Sequence, residues 1–187
     1  KNYKTFCELV PQQGKILDIG CGYGFMAYML SFTSAQRKIT GLDYDEDKID
    51  TANNCFSKTN NINFVHGDVM GFEFEQYDAI IVADMLHYLP PAEQKQVIEK
   101  CITNLNPGGK LIIRDGDADK EAMHKKTKLT EFFSTKLLNF NKTKETGLSF
   151  LSGTMIRKLA AEKNMSCSEM PDSKHTSNTL FILEKKV

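Results

Sequence analysis

The sequence lacks a surplus of either charge: 24 basic side chains balance 24 acidic ones across 187 residues. That neutrality argues against a general nucleic-acid binder, which carries a basic surplus. Arginine is scarce, with Arg37, Arg114 and Arg157 the only three. Few guanidinium forks are therefore on hand for bidentate contacts to phosphate or guanine. No run approaches the roughly 18 apolar residues that a membrane-crossing helix needs. No charged-then-apolar leader opens the sequence, so a cytoplasmic location is expected. Paired cysteines are missing as well: Cys7, Cys21, Cys55, Cys101 and Cys167 are scattered without a C-x-x-C pair. The expectation is reduced thiols, with neither a disulfide frame nor a bound metal. Opening on Lys1 rather than Met fits either a trimmed chain or one domain of a longer polypeptide.

What is present fits a globular domain. Hydrophobic residues make up 41% and charged residues 26%, a normal balance for a chain that buries a core. Tyr3, Phe6, Leu9 and Val10 recur at helical spacing until Pro11. Short apolar runs at 15–19, 38–43, 63–66, 78–83 and 110–114 read as strands. Helices are expected between them at 24–33, 45–57 and 91–104, with Asp45 as an N-cap and Pro91 in a first turn. Asn106-Pro107-Gly108-Gly109 reads as a turn. This alternation predicts an α/β fold with a mostly parallel sheet covered by helices on both faces. Residues 120–140 and 152–164 read as further helices, with Ser152 a possible cap, and 166–185 as two closing strands. One domain over 1–187 is expected, with a ligand-binding half at 1–114 and an acceptor-side insertion and closing strands at 115–187.

The strongest pattern is Leu17-Asp18-Ile19-Gly20-Cys21-Gly22-Tyr23-Gly24. A strand enters three glycines at alternate positions and leaves as a helix. Glycines permit a tight turn and a close approach of backbone to ligand. The dinucleotide spacing G-x-G-x-x-G would need glycine at position 25, where Phe25 stands. An acid two residues before the first glycine would repel a pyrophosphate. It suits a ligand carrying an ammonium group.

These residues resemble the first motif of the class I S-adenosylmethionine-dependent methyltransferases, and the similarity extends over about 15–114. The resemblance implies their Rossmann-like fold, a seven-stranded sheet with one antiparallel strand near an edge. It implies S-adenosylmethionine as cofactor and S-adenosylhomocysteine as product. Asp18, Gly20, Cys21, Gly22 and Gly24 then lie at the cofactor. Asp43, ending Thr40-Gly41-Leu42-Asp43-Tyr44, accepts ribose hydroxyls, and Tyr44 lies against adenine. The alternative for Asp43 is a turn cap. Asp68 and Val69 in Gly67-Asp68-Val69 meet the adenine amino group, unless Asp68 only serves its turn. Ala83 and Asp84 sit near the methionine end. Asp45, Glu46 and Asp47 are expected as a helix start with a solvated face.

The stretch Ala83-Asp84-Met85-Leu86-His87-Tyr88-Leu89-Pro90 resembles the family's fourth motif. His87 would face the site's mouth, either as a general base or as packing that holds the loop. Tyr23 and Tyr88 would help shape the site. The Pro-Pro-aromatic sequence of nucleobase-directed members is missing here, so a small or lipid-like acceptor is expected and nucleic acid is not. Three other readings stay open: a cofactor-binding module without turnover, a nicotinamide oxidoreductase, and an RNA or protein methyltransferase.

Residues 120–144 hold seven Lys against two Glu, whereas 1–119 hold 11 basic and 17 acidic residues. The basic stretch also carries Leu129, Phe132, Phe133 and Leu137 at helical spacing. It reads as a helix packed on the domain, as a cover for an apolar acceptor, or as a dock on an anionic membrane surface. Asp115-Gly116-Asp117-Ala118-Asp119 lacks the rest of a calcium loop, and Asp115 is expected to wall the pocket. His124 and His175 are expected at the surface.

Overall fold

In a computed structural model, described over residues 3–120, 149–171 and 178–186, the sheet has seven strands among the described residues. These are β1 (Gly14–Ile19), β2 (Arg37–Asp43), β3 (Ile62–His66), β4 (Tyr77–Ala83), β5 (Leu105–Gly116), β6 (Met165–Pro171) and β7 (Asn178–Lys185). Their order is β3-β2-β1-β4-β5-β7-β6. β1 to β5 pair in parallel, while β7 runs antiparallel to both β5 and β6. β7 is thus the single reversed strand, one place in from the edge, as the family resemblance implies.

Five helices accompany the sheet in the described residues: α1 (Tyr3–Leu9), α2 (Phe25–Thr33), α3 (Glu46–Asn53), α4 (Pro91–Thr103) and α5 (Gly153–Glu162). Successive side chains of each strand point to opposite faces of the sheet, so the two faces build two cores. One contains Leu17, Ile19, Val82 and Ile113 with Val97, Ile98 and Cys101 of α4 and Ile156 and Leu159 of α5. The other contains Ile16, Ile39, Ile81 and Ile112 with Phe6 of α1, Met26 and Leu30 of α2 and Ile49 of α3. Burial on both faces explains why β1 and β4 are largely apolar, with Asp18 and Asp78 as their acidic exceptions.

The sequence-based boundaries hold within a few residues, with two informative departures. α3 ends at Asn53, short of the expected 57. Asp45 does stand at its N-cap position but makes no side-chain cap bond. Its carboxylate is buried beside Lys48 at 3.7 Å, so it is not part of a solvated face. The turn at 106–109 lies within β5, where register jumps from Tyr77↔Leu105 to Ala79↔Lys110. The Asn106 side chain anchors that excursion by donating to Asp78 at 2.8 Å. The expected helix at 120–140 falls almost entirely outside the described residues, as do His124 and His175.

One buried cation knits the α1–α3 face together. Arg37 is fully buried and donates to the Cys7, Val10, Pro11 and Leu30 carbonyls and to the Thr33 hydroxyl at 2.5–3.0 Å. Burial pushes its pKa down from the usual guanidinium value.

Candidate functional site

Strand order reverses direction between β1 and β4. In an open α/β sheet, ligands bind in the crevice outside the strand carboxyl ends at such a point. The loop after β1 and the turn after β4 flank it.

The loop after β1 follows the glycines. Gly22 and Gly24 adopt φ of 55° and 78°, the left-handed region that residues with a Cβ avoid. A Cβ on Gly24 would stand 2.4 Å from the Phe64 ring, so that glycine is enforced by packing. A Cβ on Gly22 would meet nothing within 4 Å and would project into open space. Gly22 therefore leaves its backbone uncovered on that side.

Acidic groups surround this backbone. Asp18 is buried in β1. Asp43, also buried, accepts the Gly22 N–H at 2.7 Å through Oδ2 and the Asp45 N–H at 3.0 Å through Oδ1. Gly20 and Cys21 both donate to the Leu42 carbonyl, at 2.8 and 3.1 Å. The Cys21 thiol is pushed far up by burial and then by Asp18 and Asp43. It stays protonated and offers no nucleophile. The negative charge here favours a cationic ligand group.

On the β2–β3 side, Tyr44 is exposed and its carbonyl lies 3.0 Å from His66 Nε2. Asp68 is exposed and accepts the Met70 N–H at 2.9 Å, while Val69 is buried in the core. Asp68 thus does serve its own turn, yet each carboxylate oxygen has capacity for a further bond.

On the β4 side, Ala83 is buried and Asp84 takes φ 58°, uncommon for a residue with a side chain. Arg114 bonds the Asp84 carboxylate, and the Asp84 N–H donates to the Arg114 carbonyl at 2.8 Å. A short 3-10 turn, Leu86–Tyr88, follows. His87 is buried within it, 3% exposed, rather than facing the mouth as expected. Its Nδ1 lies 2.6 Å from Asp115 Oδ1, and its backbone N–H donates to Asp115 Oδ2 at 3.2 Å. The ring packs against Tyr88 and Phe150. Asp115 is 1% exposed and also accepts the Gly116 N–H. It is a buried anchor for His87, not a pocket wall. Tyr23 is exposed beside the glycines, and Tyr88 is half-buried.

Asp117 and Asp119 do not form a cation loop; no metal-binding group occurs among the described residues. Asp117 accepts the Gly153 N–H at 3.1 Å, Asp119 the Thr154 N–H at 2.8 Å, and Ser152 the Met155 N–H at 3.3 Å. Together they cap the start of α5. Bonds from the Thr154 hydroxyl and N–H hold the Asp119 carboxyl below its usual range.

Residues 16–109, half of the chain, match a family described as a methyltransferase domain. This chain belongs to that family, the class I S-adenosylmethionine-dependent methyltransferases. The domain is 31% identical over 108 residues to a ubiquinone biosynthesis O-methyltransferase from Coxiella burnetii (strain Dugway 5J108-111), covering 56% of this chain and 44% of that protein. It is 25% identical over 120 residues to a carboxy-S-adenosyl-L-methionine synthase from Campylobacter lari, covering 62% and 51%. The chain thus spans about half the length of the curated relatives it matches. Among solved structures, an O-methyltransferase family protein from Burkholderia thailandensis superposes with a TM-score of 0.76 at 18% identity, covering 98% of this chain and 55% of that one. The N-methyltransferase NodS from Bradyrhizobium japonicum, in complex with S-adenosyl-L-homocysteine, superposes with a TM-score of 0.69 at 18% identity, covering 98% and 85%. At such identities these likenesses establish the shared fold.

In this methyltransferase domain the sequence-nominated residues converge from four strands on one crevice edge. What sequence reading missed are the residues that hold them. Asp115 as the partner of His87 is one, across 28 positions. Gln94 is another: buried in α4, it donates to the Leu89 and Ser149 carbonyls, and Ser149 N–H in turn bonds the His87 carbonyl at 3.0 Å. A polar residue between Pro91 and Val97 on an otherwise apolar helix face was the only available signal.

Proposed function

We propose that this domain transfers a methyl group from S-adenosylmethionine to a small or lipid-like acceptor. The observation that carries this reading is the bare Gly22 backbone in the left-handed region, open on its Cβ side and bracketed by Asp18 and Asp43. That arrangement fits the cofactor: space for a close approach, and carboxylates for an ammonium and a ribose.

Asp18 would pair with the amino-acid ammonium. Asp43 would accept ribose hydroxyls with the lone pairs left after its two backbone bonds. Tyr44, Asp68 and Val69 would take the adenine end, and Gly20, Cys21, Gly24, Ala83 and Asp84 the remainder. When bound, the cofactor supplies an electrophilic methyl on a sulfonium. The protein's contribution is then mainly to hold the acceptor in line at attack distance.

An acceptor that must lose a proton needs a base. We assign that part to His87. Donation from its Nδ1–H to the Asp115 carboxylate leaves Nε2 as the basic nitrogen. The contrasting reading, that His87 only packs the turn, is favoured by its burial. Gln substitution separates the two, because a base loses turnover without losing cofactor affinity.

Each of the three arginines has a partner inside the fold: Arg37 with backbone carbonyls, Arg114 with Asp84, and Arg157 with Glu169 and Asp119. Arg37 and Arg114 are buried in these roles while Arg157 pairs at the surface; so few accessible guanidinium groups support a small acceptor over a nucleic acid. No helix of the described residues is long and apolar enough to cross a membrane. The lipid-like option rests on the basic, apolar composition of 120–144. We read 1–187 as one domain, with the cofactor half at 1–114.

The deciding test is calorimetric titration with S-adenosylhomocysteine, followed by an acceptor screen that reads its release. An acceptor range confined to nucleic acid would sink the small-molecule reading.

A further inference from the structure

The segment that carries Asp68 has no regular structure between the end of β3 at His66 and the start of β4 at Tyr77. Lys15 of β1 pairs with Glu75 near its end, and Val69 is buried in the core; its middle is gathered by one side chain of α4. Lys100, in the last turn of α4, donates to the Val69 carbonyl at 3.1 Å, the Met70 carbonyl at 3.1 Å and the Phe72 carbonyl at 2.5 Å. An ammonium has three donors, and here each has a backbone acceptor from the same four-residue stretch, 69–72. The fourth side faces an aromatic ring: Nζ sits 4.6 Å from the Phe74 centroid. The loop's own bonds are few and short-range, from Met70 to the Asp68 carboxylate and from Gly71 and Phe72 to the Asp68 carbonyl. They fix the turn's shape. Its place is set by the Gly67 N–H bond to the Asp43 carbonyl at 2.9 Å, by Val69 buried in the core, and by the Lys100 ammonium, which ties the stretch after Asp68 to α4.

We propose that Lys100 is a positioning residue for recognition of the cofactor's adenine. It orients Asp68, the exposed carboxylate of this turn, from a helix on the other side of the loop. This rests on the cofactor reading above and extends it to a residue 32 positions away from Asp68 in the chain. A methionine at position 100 keeps the apolar stem but leaves three carbonyls without their shared donor. The turn then loses its tie to α4 while keeping the Gly67 bond and the buried Val69, and Asp68 is held less firmly in direction.

The test compares two ligands that differ only at the purine. S-adenosylhomocysteine offers an amino group to Asp68; S-inosylhomocysteine offers a carbonyl that a carboxylate repels. Wild-type protein is expected to prefer the adenine form by at least about tenfold, the worth of one charge-assisted hydrogen bond. Lys100→Met is expected to reduce that preference to about twofold or less, with the larger loss falling on the adenine form. A lysine that merely stabilised the fold would lower the melting temperature and leave the preference intact, which would overturn the proposal. If Lys100→Met does not fold, Lys100→Gln carries the same test with the same direction expected. Wild-type protein that binds neither ligand would overturn the cofactor reading itself. Wild-type protein that binds both equally would remove Asp68, and with it Lys100, from adenine recognition.

Discussion

The Gly22 backbone N–H donates to the Asp43 carboxylate at 2.7 Å. One side chain thus fixes the glycine loop, and in the proposed function it would also accept the ribose hydroxyls. Asp43→Ala removes both and is expected to weaken S-adenosylhomocysteine binding by roughly 1–3 kcal/mol. Asp43→Asn keeps one oxygen acceptor and is expected to lose less. Calorimetry measures the difference; an unchanged affinity in both variants would take Asp43 out of the site.

Gly22 and Gly24 should respond differently to alanine. Both carry positive φ, so each substitution costs roughly 1–2 kcal/mol of backbone strain. Only at Gly24 would the new Cβ also collide, with the Phe64 ring at 2.4 Å. Gly24→Ala is therefore expected to lose more folding stability in urea. Gly22→Ala should lose less stability and more ligand affinity, because its Cβ projects into the crevice. Equal stability losses would mean that Phe64 yields freely.

The Asp115–His87 pair makes a prediction about the base. His87→Gln is expected to lower turnover by about 100-fold or more on an acceptor that loses a proton, with cofactor affinity held within about twofold. Parallel losses in both quantities would assign His87 to packing alone. Asp115→Asn is expected to lower turnover and also cost roughly 1–3 kcal/mol of stability, since it disturbs a buried acceptor of three N–H groups.

Acid stability should carry a signature of Asp119. Its folded-state pKa is depressed, first by the Thr154 hydroxyl bond. The stabilisation is therefore present above the ordinary carboxylate range and disappears as pH falls through the lowered folded value. Urea midpoints measured from about pH 6 down to about pH 3 should fall less steeply in Asp119→Asn than in wild type. Identical slopes would show that the α5 cap carries no acid-linked stability.

Much of this fold is legible in the sequence because it is written locally. Buried strands such as Ile16–Ile19 are apolar apart from Asp18, and the glycine turn announces its own geometry through Gly20, Gly22 and Gly24. Boundaries move where tertiary contacts override local preference. α3 ends at Asn53, whose side chain donates to the Phe64 carbonyl of β3 at 3.4 Å. The supporting residues are hidden for a physical reason. Arg37 reaches acceptors up to 30 positions away and Lys100 up to 31. An isolated basic residue in sequence carries no mark of the carbonyls that folding brings to it. His87 was visible as a candidate, but its burial against Asp115 depends on β5 lying beside β4.

The account stands or falls on ligand binding at the crevice between β1 and β4. Calorimetric titration of wild-type protein with S-adenosylhomocysteine is expected to give one site per chain, with Kd in the range of about 1–100 μM, and no binding of NAD. Absence of heat at millimolar S-adenosylhomocysteine, or preferential binding of NAD, would contradict it.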